Sequence, residues 1–392
     1  MKLKKKFQQY LTSLEVILSI YIVLSILVTV MKYERGTKDF MGGEYTNYNN
    51  YIIFKKSFDH LIEKQDLYTF YPEEYADLYK YSPTFALLMA PFSRLPDLAG
   101  LILWNLLNSL LLFFAIKFLP IKNNKTKAFI LLFILIELIT SLQNQQSNGL
   151  IVALLILAFN QLEKHNLLLP SLFIALTVYI KIFGIVAFIL FLFYERKTKF
   201  ALYSIMWTLL LLVLPLMVIS LDQLKFLYSS WWNLLNTDSS VETTFSVMTW
   251  LKVWFNLNLP AGLVRLAGLL LLAIPLIKIN AYREFGFRFL FFAAVLIWVV
   301  IFNHKAESPT FIIAICGVAF WFFSQHFKIE NIILVCFVFI FTILAPTDLF
   351  PRNVRVNILV PYVVKVFPCI LVWLKITFDL IFGKKDIVSQ ID

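Results

Sequence analysis

The stretch at residues 44–108 reads EYTNYNNYIIFKKSFDHLIEKQDLYTFYPEEYADLYKYSPTFALLMAPFSRLPDLAGLILWNLLN. It is the longest polar and aromatic insert in a chain that otherwise consists of apolar runs. From Asn50 to about Lys64 the pattern predicts an amphipathic helix. Its apolar face carries Tyr51, Phe54, Phe58, Leu61 and Ile62. Its polar face carries Lys55, Lys56, Asp59, His60 and Glu63. Such a helix lies in a membrane interface or against a bundle and does not cross the bilayer.

The composition around this insert is that of a membrane protein. The chain has 392 residues, of which 60% are hydrophobic and only 15% are charged, and it contains 40 phenylalanines. A soluble domain cannot bury that much apolar surface. Apolar runs long enough to span a bilayer recur from end to end, which predicts an all-α polytopic membrane protein.

We predict about twelve transmembrane helices. Their approximate ranges are 10–31, 97–119, 126–142, 147–163, 166–180, 183–195, 199–221, 260–279, 286–303, 309–325, 330–346 and 357–380. Residues 166–180 and 183–195 are short and meet at Lys181 and Gly184, so one of them is alternatively a broken or re-entrant helix. We expect residues 1–392 to form a single integral membrane domain.

The net charge of +11 reflects lysines and arginines at the ends of apolar runs. That placement is typical of topology signals, so we expect no nucleic-acid partner. Short basic loops place both termini in the cytoplasm. We expect the protein to be integral to the plasma membrane. The opposite side then receives residues 32–96, as a first extracytoplasmic loop with interfacial helices, together with 143–146, 181–184, 222–259, 304–308 and 347–356.

Three polar clusters on that outer side are candidates for a site. Residues 143–148 hold five carboxamides, which either bind sugar hydroxyls or form a solvated hairpin. Lys181 either pairs with a phosphate at the mouth of the site or snorkels to the membrane interface. His304, Lys305 and Glu307 either supply an acid, a base and phosphate-binding groups, or form a loop of solvated charges.

Metal and cofactor chemistry is not predicted. The four histidines are scattered over different segments, and the three cysteines lie in apolar runs without metal-ligand spacing. Phosphate-binding glycine loops and a nucleophile elbow are also absent from the sequence. We therefore predict no metal-binding residues and no cofactor, and the sequence leaves the metal requirement of the reaction open.

Taken in order, the motifs resemble those of glycosyltransferase family 87, one of the GT-C class of membrane glycosyltransferases. The residues that carry the resemblance are Asp66 and Tyr68 (D-x-Y), Tyr79, Tyr81 and Pro83 (Y-x-Y-x-P), Trp104 and Asn108 (W-x-x-x-N), Gln146 and Asn148 (Q-x-N), Lys181, and the polar cluster from His304 to Pro309. The resemblance covers residues from about 45 to 320.

The resemblance implies a GT-C-like bundle and a hexosyltransferase. Such enzymes take a sugar, often mannose, from a polyprenyl-phosphate donor and transfer it with inversion to a membrane-associated glycolipid or glycan acceptor on the extracytoplasmic face. The donor is a co-substrate, and membrane lipid is a partner. The residues expected to bind the donor phosphate are Lys181, Lys305 and His304. Those expected to bind sugar or acceptor are Asn49, Tyr68, Tyr81, Gln146 and Asn148.

The sequence departs from the family at Asn50, which stands where the family has an aspartate. An amide cannot act as a general base, so another outer carboxylate would do so, with Glu307 first, then Glu44 and Asp66. Alternatively Asn50 only orients the acceptor, or the protein binds lipid-linked sugar without catalysis. Glu44 is also close enough to Asn50 in sequence to be the true counterpart of that aspartate. A transporter or flippase of lipid-linked sugar and a non-catalytic membrane scaffold remain as competing functions.

Overall fold

The computed structural model describes residues 12–40, 42–237 and 244–383. The fold is 75% helical, as expected for an all-α protein. Within those ranges the only sheet is a two-stranded antiparallel hairpin, with β1 at Thr37–Phe40 and β2 at Gly43–Thr46.

Seventeen α-helical segments follow one another along the described ranges. They are α1 Leu14–Glu34, α2 Asn49–Ile62, α3 Pro83–Leu88, α4 Ala90–Ser93, α5 Asp97–Lys117, α6 Asn124–Gln143, α7 Asn148–Glu163, α8 Leu168–Ile180, α9 Lys197–Val213, α10 Leu221–Thr237, α11 Val247–Phe255, α12 Ala261–Ala273, α13 Phe285–Ile301, α14 Phe311–Phe323, α15 Ile329–Val338, α16 Arg352–Val354 and α17 Phe367–Phe382. The tighter 3-10 segments are Ile182–Phe193, Leu214–Met217, Ile274–Ile277, Ile279–Arg283, Ser308–Thr310 and Val364–Val366, and the wider π segments are Phe339–Leu344 and Arg355–Leu359.

The helices coincide with the predicted apolar runs, but the predicted number of crossings is not established. Four helical stretches are long and apolar enough to cross a membrane, or five if one bent pair counts as a single span. The four are Leu14–Glu34, Asp97–Lys117, Asn124–Gln143 and Lys197–Met217. The other apolar helices are 10 to 17 residues long. The figure of about twelve spans therefore stays a prediction.

The core of the bundle lies around α13 and α14, which are buried along almost their whole length. They approach closely at Gly317, because a methyl group there would lie 2.6 Å from the carbonyl oxygen of Ala293. By contrast, α9 and α12 expose leucine and isoleucine side chains over most of their surface. Apolar surface of that kind is stable against lipid, which agrees with a membrane protein.

The predicted break near Lys181 is present. Helix α8 ends at Ile180, Lys181 is extended with φ −142° and ψ 119°, and a 3-10 helix runs from Ile182 to Phe193. Because a 3-10 helix rises about 2.0 Å per residue, these 12 residues reach about 24 Å. A segment shorter than a typical span therefore extends as far as a 16-residue α-helix.

The opening insert forms the predicted helix in one of its two predicted settings. Helix α2 packs against the bundle, and its expected polar face is partly buried. The His60 side chain is only 2% exposed, and its Nε2 atom lies 2.9 Å from Glu74 Oε2. Lys55 forms a 2.6 Å ion pair with Asp97 at the start of α5. Folding the rest of the insert over α2 provides the partners that let these charged side chains leave water.

Candidate active site

A cavity of about 660 Å³ opens at one end of the bundle. That volume is typical of a site for a small ligand or a sugar. The side chains around it are Asn50, Ile53, Phe54, Asp77, Leu78, Lys80, Tyr81, Gln146, Lys181, Ile182, Phe183, Ile185, Val186, Leu234, Leu235, Arg265, Trp298, Val299, Phe302, Asn303, His304, Lys305, Glu307 and Thr310. They come from the insert, from helix ends and from the connections between helices.

Lys181 enters the cavity because the chain is extended between α8 and the 3-10 helix. Its Nζ atom donates hydrogen bonds to Gln146 Oε1 at 2.8 Å and to Asn148 Oδ1 at 3.0 Å. It also lies 5.8 Å from the centroid of the Tyr81 ring. None of the described carboxylates forms a salt bridge with it. The ammonium is therefore oriented by neutral partners and has no carboxylate in direct contact among the described residues.

Gln146 connects Lys181 to Glu307. Its Oε1 atom accepts from Lys181, and its Nε2 atom donates to Glu307 Oε2 at 3.3 Å. Asn148 makes a second connection, since its Nδ2 atom donates to the carbonyl oxygen of Pro309 at 3.0 Å. The predicted amide cluster, the predicted lysine and the predicted carboxylate thus lie together.

The amide cluster is held from behind by the Trp104 and Asn108 motif. Trp104 Nε1 donates to the carbonyl oxygen of Gln145 at 2.8 Å, and Asn108 Oδ1 accepts from the Leu150 amide at 2.8 Å. Gln145 itself adopts a left-handed conformation with φ 49°, which a non-glycine residue seldom adopts without such support. The motif acts by fixing the turn from which Gln146 reaches the cavity.

Burial changes the acidity of the two side chains beside Glu307. The pKa of Lys181 is lowered to about 8, because burial disfavours the ammonium and the nearby Glu307 carboxylate only partly opposes this. Burial raises the pKa of Tyr81, and the negative charge of Glu307 raises it further. At neutral pH the cavity therefore offers a cationic lysine and a neutral phenol.

Asn50 and Asn49, in the first turn of α2, face different partners. Asn50 lines the cavity, and its Nδ2 atom donates to the carbonyl oxygen of Asn144 at 2.9 Å. The Oδ1 atom of Asn49 accepts from the Ala76 amide at 2.9 Å, away from the cavity lining. Tyr68 also lies outside the lining, where its hydroxyl donates to the carbonyl oxygen of Tyr81 at 2.9 Å. Both Asn49 and Tyr68 support the wall of the cavity from behind.

The predicted carboxylates separate into two groups. Glu307 lines the cavity together with His304 and Lys305. Asp66 and Glu44 do not. Asp66 accepts from the Tyr68 backbone amide at 3.1 Å and from the Ser230 hydroxyl at 2.8 Å. Glu44 is exposed on β2 and accepts from the Thr37 hydroxyl.

Comparison with known protein families identifies what this arrangement belongs to. The family model of glycosyltransferase family 87 matches residues 79–303, which is more than half of the chain. The chain belongs to glycosyltransferase family 87. It is therefore an enzyme that transfers sugars. The search among curated proteins finds no match.

The match is shorter than the resemblance predicted from the sequence. It includes Tyr81, Gln146, Asn148 and Lys181, whereas Glu44, Asn50, Asp66 and Glu307 fall outside it. The part of this family 87 enzyme that matches therefore contains the lysine and its amide partners. Every carboxylate predicted to be the base lies in the remainder of the chain.

Sequence reasoning missed three charged residues that line the cavity, namely Asp77, Lys80 and Arg265. Lys80 Nζ lies 3.1 Å from Asp77 Oδ1. Asp77 precedes the Tyr79 motif by two residues. Its position next to this motif is the sequence feature that could have marked it as a site residue. Arg265 interrupts the apolar run of α12 in the same way that Lys181 interrupts its own run. The same sequence feature that made Lys181 a candidate could therefore have identified Arg265.

The described residues form no recognisable metal site. There, no three histidine, cysteine, aspartate or glutamate side chains come close enough together to hold an ion. The glycosyltransferase cavity contains one histidine, His304, and two carboxylates, Asp77 and Glu307.

Proposed function

We propose that this family 87 enzyme is a hexosyltransferase, with mannose as the foremost candidate sugar. It takes the sugar from a polyprenyl-phosphate donor and passes it to a membrane-associated glycolipid or glycan. The observation that carries the proposal is the Lys181 ammonium, held by two neutral amides inside a cavity that also contains Glu307. A cation and a carboxylate in one cavity match the two charges that develop during glycosyl transfer.

Lys181 serves as the phosphate-binding group. A polyprenyl-phosphate sugar is a phosphodiester with one negative charge, and its phosphate gains a second as the bond to the sugar breaks. A cation that is already oriented stabilises this growing charge without further reorganisation. His304 and Lys305 line the same cavity and are the other proposed phosphate ligands.

Glu307 serves as the general base. Its carboxylate removes the proton of the acceptor hydroxyl while the acceptor oxygen attacks C1 of the sugar. The bond between C1 and the phosphate oxygen breaks on the opposite face, so the configuration at C1 inverts. Polyprenyl phosphate leaves with the bonding electrons, and the proton remains on Glu307 until it passes to water.

Neutral polar groups orient the reactants around these two charges. Tyr81, Gln146 and Asn50 line the cavity, and their hydroxyl and amide groups suit sugar hydroxyls. Asn148 holds Lys181 in place. Asn49 and Tyr68, proposed from the sequence as sugar or acceptor ligands, act through the wall that they support.

An apolar entry for the prenyl chain fits the same cavity. Ile182 and Ile185, in the first turns of the 3-10 helix, are 46% and 54% exposed and line the cavity beside Lys181. Leu234 and Leu235 of α10 line it as well. Exposed isoleucines next to a partly buried cation suit a ligand with a charged head and a hydrocarbon tail.

The site is proposed to face the extracytoplasmic side of the plasma membrane, with both termini in the cytoplasm. Support comes from the convergence of Gln146, Lys181 and Glu307, which belong to three loops assigned to one side by the charge pattern. The whole chain then forms one membrane unit with about twelve crossings. The insert at 32–96 covers its outer end.

A transfer assay tests this function. Purified protein in detergent or nanodiscs is given polyprenyl-phosphate mannose and polyprenyl-phosphate glucose, each with a labelled sugar, and membrane lipid extract as acceptor. Transfer of label to a new glycolipid or glycan supports the proposal. Folded protein that moves the donor across proteoliposomes without forming a covalent product would favour a flippase instead.

A further inference from the structure

The last helical region of the chain bends sharply at a buried, strained residue. Arg352–Leu359 and Val364–Phe382 meet at an angle of 82°. At the bend, Val363 is fully buried and has the left-handed angles φ 51° and ψ 35°. A β-branched residue strongly disfavours this conformation. Packing therefore imposes the bend, and it turns Lys365 toward the protein interior.

Lys365 joins two distant parts of the chain. Its Nζ atom donates to Glu137 Oε1 on α6 at 2.6 Å and to Ser308 Oγ at 2.9 Å, and it lies 5.0 Å from the centroid of the Phe311 ring. The side chains of Lys365 and Glu137 are 3% and 0% exposed. We call Glu137, Lys365 and Ser308 the buried clasp.

Stability alone does not account for the buried clasp. Desolvation of two charges usually offsets their attraction, so an apolar pair of similar volume commonly serves as well. The Oε2 atom of Glu137 is also buried and has no hydrogen-bond partner among the described residues, which adds a further cost. Ionised groups inside a membrane protein are functional candidates for this reason.

The buried clasp ends on the turn that carries Glu307. The Glu307 carboxylate has one long hydrogen bond, the 3.3 Å contact from Gln146, so its position depends on the backbone around it. That backbone is held by the Phe245 amide, which donates to Ala306 O at 2.9 Å, and by the bond from Asn148 to Pro309. Lys365 adds a third bond to this turn, from its buried ammonium to the Ser308 hydroxyl.

We propose that the buried clasp positions Glu307 relative to Lys181 for glycosyl transfer. The inference rests on the proposed role of Glu307 as the base. None of the three clasp residues lines the cavity, so they are positioning residues. A base displaced by about 1 Å loses on the order of 10- to 100-fold in rate while substrate binding is retained.

The first test removes only the bond to the turn. Ser308→Ala leaves the ion pair intact, and we expect kcat to fall about 10-fold or more while the donor KM and the thermal unfolding midpoint change little. The acid limb of the pH profile of kcat/KM should move, because the surroundings of Glu307 change. Ser308→Thr restores a hydroxyl and should recover most of the activity.

The second test replaces the ion pair by the apolar double variant Glu137→Leu with Lys365→Met. We expect this protein to fold and to show the same loss of kcat. Its matched control is the pair Glu163 and Arg288, 2.6 Å apart and also poorly exposed, at the far end of α7, about 22 Å along the helix from Asn148. Glu163→Leu with Arg288→Met should change the unfolding midpoint and leave kcat and the pH profile as in the wild type.

The outcomes separate this proposal from the function on which it rests. If Glu307→Gln is inactive but Ser308→Ala keeps the wild-type kcat and pH profile, the positioning role is wrong and the base assignment stands. Equal losses of kcat in the clasp variants and in the Glu163 and Arg288 control also overturn it. If Glu307→Gln is fully active, the base assignment itself fails.

Discussion

Lys181 is the residue on which the electrostatics of the site depend. Its two hydrogen bonds go to neutral amides, and burial lowers its pKa to about 8. A lysine with this pKa is mostly charged at pH 7 and becomes neutral as the pH rises through 8. Under the proposed role of Lys181, burial would strengthen its attraction for the donor phosphate and would also make that attraction dependent on pH.

Donor binding should therefore weaken in alkaline solution. We expect the donor KM of the wild type to be constant below about pH 7.5 and to rise above pH 8, as Lys181 loses its proton. Lys181→Arg is the control, because a guanidinium stays charged throughout this range and its KM should remain flat. Steady-state kinetics from pH 6.5 to 9.5 measure both. An equal alkaline rise in the arginine variant would remove Lys181 from the phosphate site.

The choice of base is tested by amide substitutions of comparable size. Glu307→Gln should lower kcat by about 100-fold or more, because a positioned general base contributes roughly that factor. Glu44→Gln is the matched control, since Glu44 is exposed on the hairpin and does not line the cavity. We expect it to retain near wild-type activity in the same transfer assay.

Asp77→Asn completes this comparison. Asp77 lines the cavity but has Lys80 as its ion-pair partner, so we expect a smaller effect than at Glu307. Full activity of Glu307→Gln together with an inactive Asp77→Asn would transfer the role of base to Asp77. An inactive Glu44→Gln would instead assign the role to Glu44.

At this scale the sequence identifies polar residues that interrupt apolar runs, and several of these meet. Gln146, Lys181 and Glu307 each stand at the end of an apolar run, and the charge pattern assigns these three ends to one side of the membrane. Their side chains are therefore expected at one end of the bundle, where they meet. Asp77 and Arg265 were not predicted to line a site. A charged residue in a polar insert, or a single arginine in a helix, has the same sequence pattern as an ordinary solvated side chain. Only the folded chain brings them to the cavity.

The helices themselves follow closely from the apolar runs, because length and composition suffice to define a helix that leaves water. The hairpin β1–β2 was not predicted, since strands of four residues carry little periodic signal. Nor was the burial of His60 on α2, which depends on Glu74 arriving from another part of the insert. The 3-10 conformation of Ile182–Phe193 has no signature in an all-apolar sequence.

Packing between elements gives a prediction at Gly317. Gly317→Ala places a methyl group 2.6 Å from Ala293 O and 2.8 Å from Ile297, which forces α13 and α14 apart. We expect a loss of roughly 1–3 kcal/mol in the free energy of unfolding, the usual cost of overpacking. A lower midpoint of thermal unfolding in detergent is the measurement.

Gly262 provides the matched control in a helix of the same kind. A methyl group there would have no described atom of a neighbouring residue within 4 Å. Gly262→Ala should therefore leave the midpoint of thermal unfolding unchanged or raise it slightly. Equal destabilisation by the two substitutions would mean that α13 and α14 do not pack as closely as described.

For the whole molecule, the charge pattern predicts which loops share a side of the membrane. The folded chain brings together three of the loops that this pattern assigns to the outside. Distances between helices and the order in which they pack do not follow from apolar runs, because every such run satisfies the bilayer equally well. The 82° bend before α17 is an example, since it depends on packing around Val363.

Orientation is testable by cysteine labelling. In a background without the three native cysteines, Gln143→Cys should react with a membrane-impermeant maleimide in intact cells, because Gln143 is exposed in a loop assigned to the outside. Lys197→Cys, exposed at the start of α9, should react only after permeabilisation. Reversed labelling would place the cavity in the cytoplasm.

The ion pair between Glu163 and Arg288 has a consequence for the direction of sugar movement. Together with Tyr194, it ties the far ends of α7, the 3-10 helix and α13. The near ends of the 3-10 helix and α13 contribute to the cavity lining, as does Gln146 just before α7. Among the described residues, this ion pair holds the far ends of three elements together, while the cavity opens at their near ends. Under the proposed function, we therefore expect the lipid-linked donor to enter from the side of the opening, and we expect this protein not to carry the donor across the bilayer.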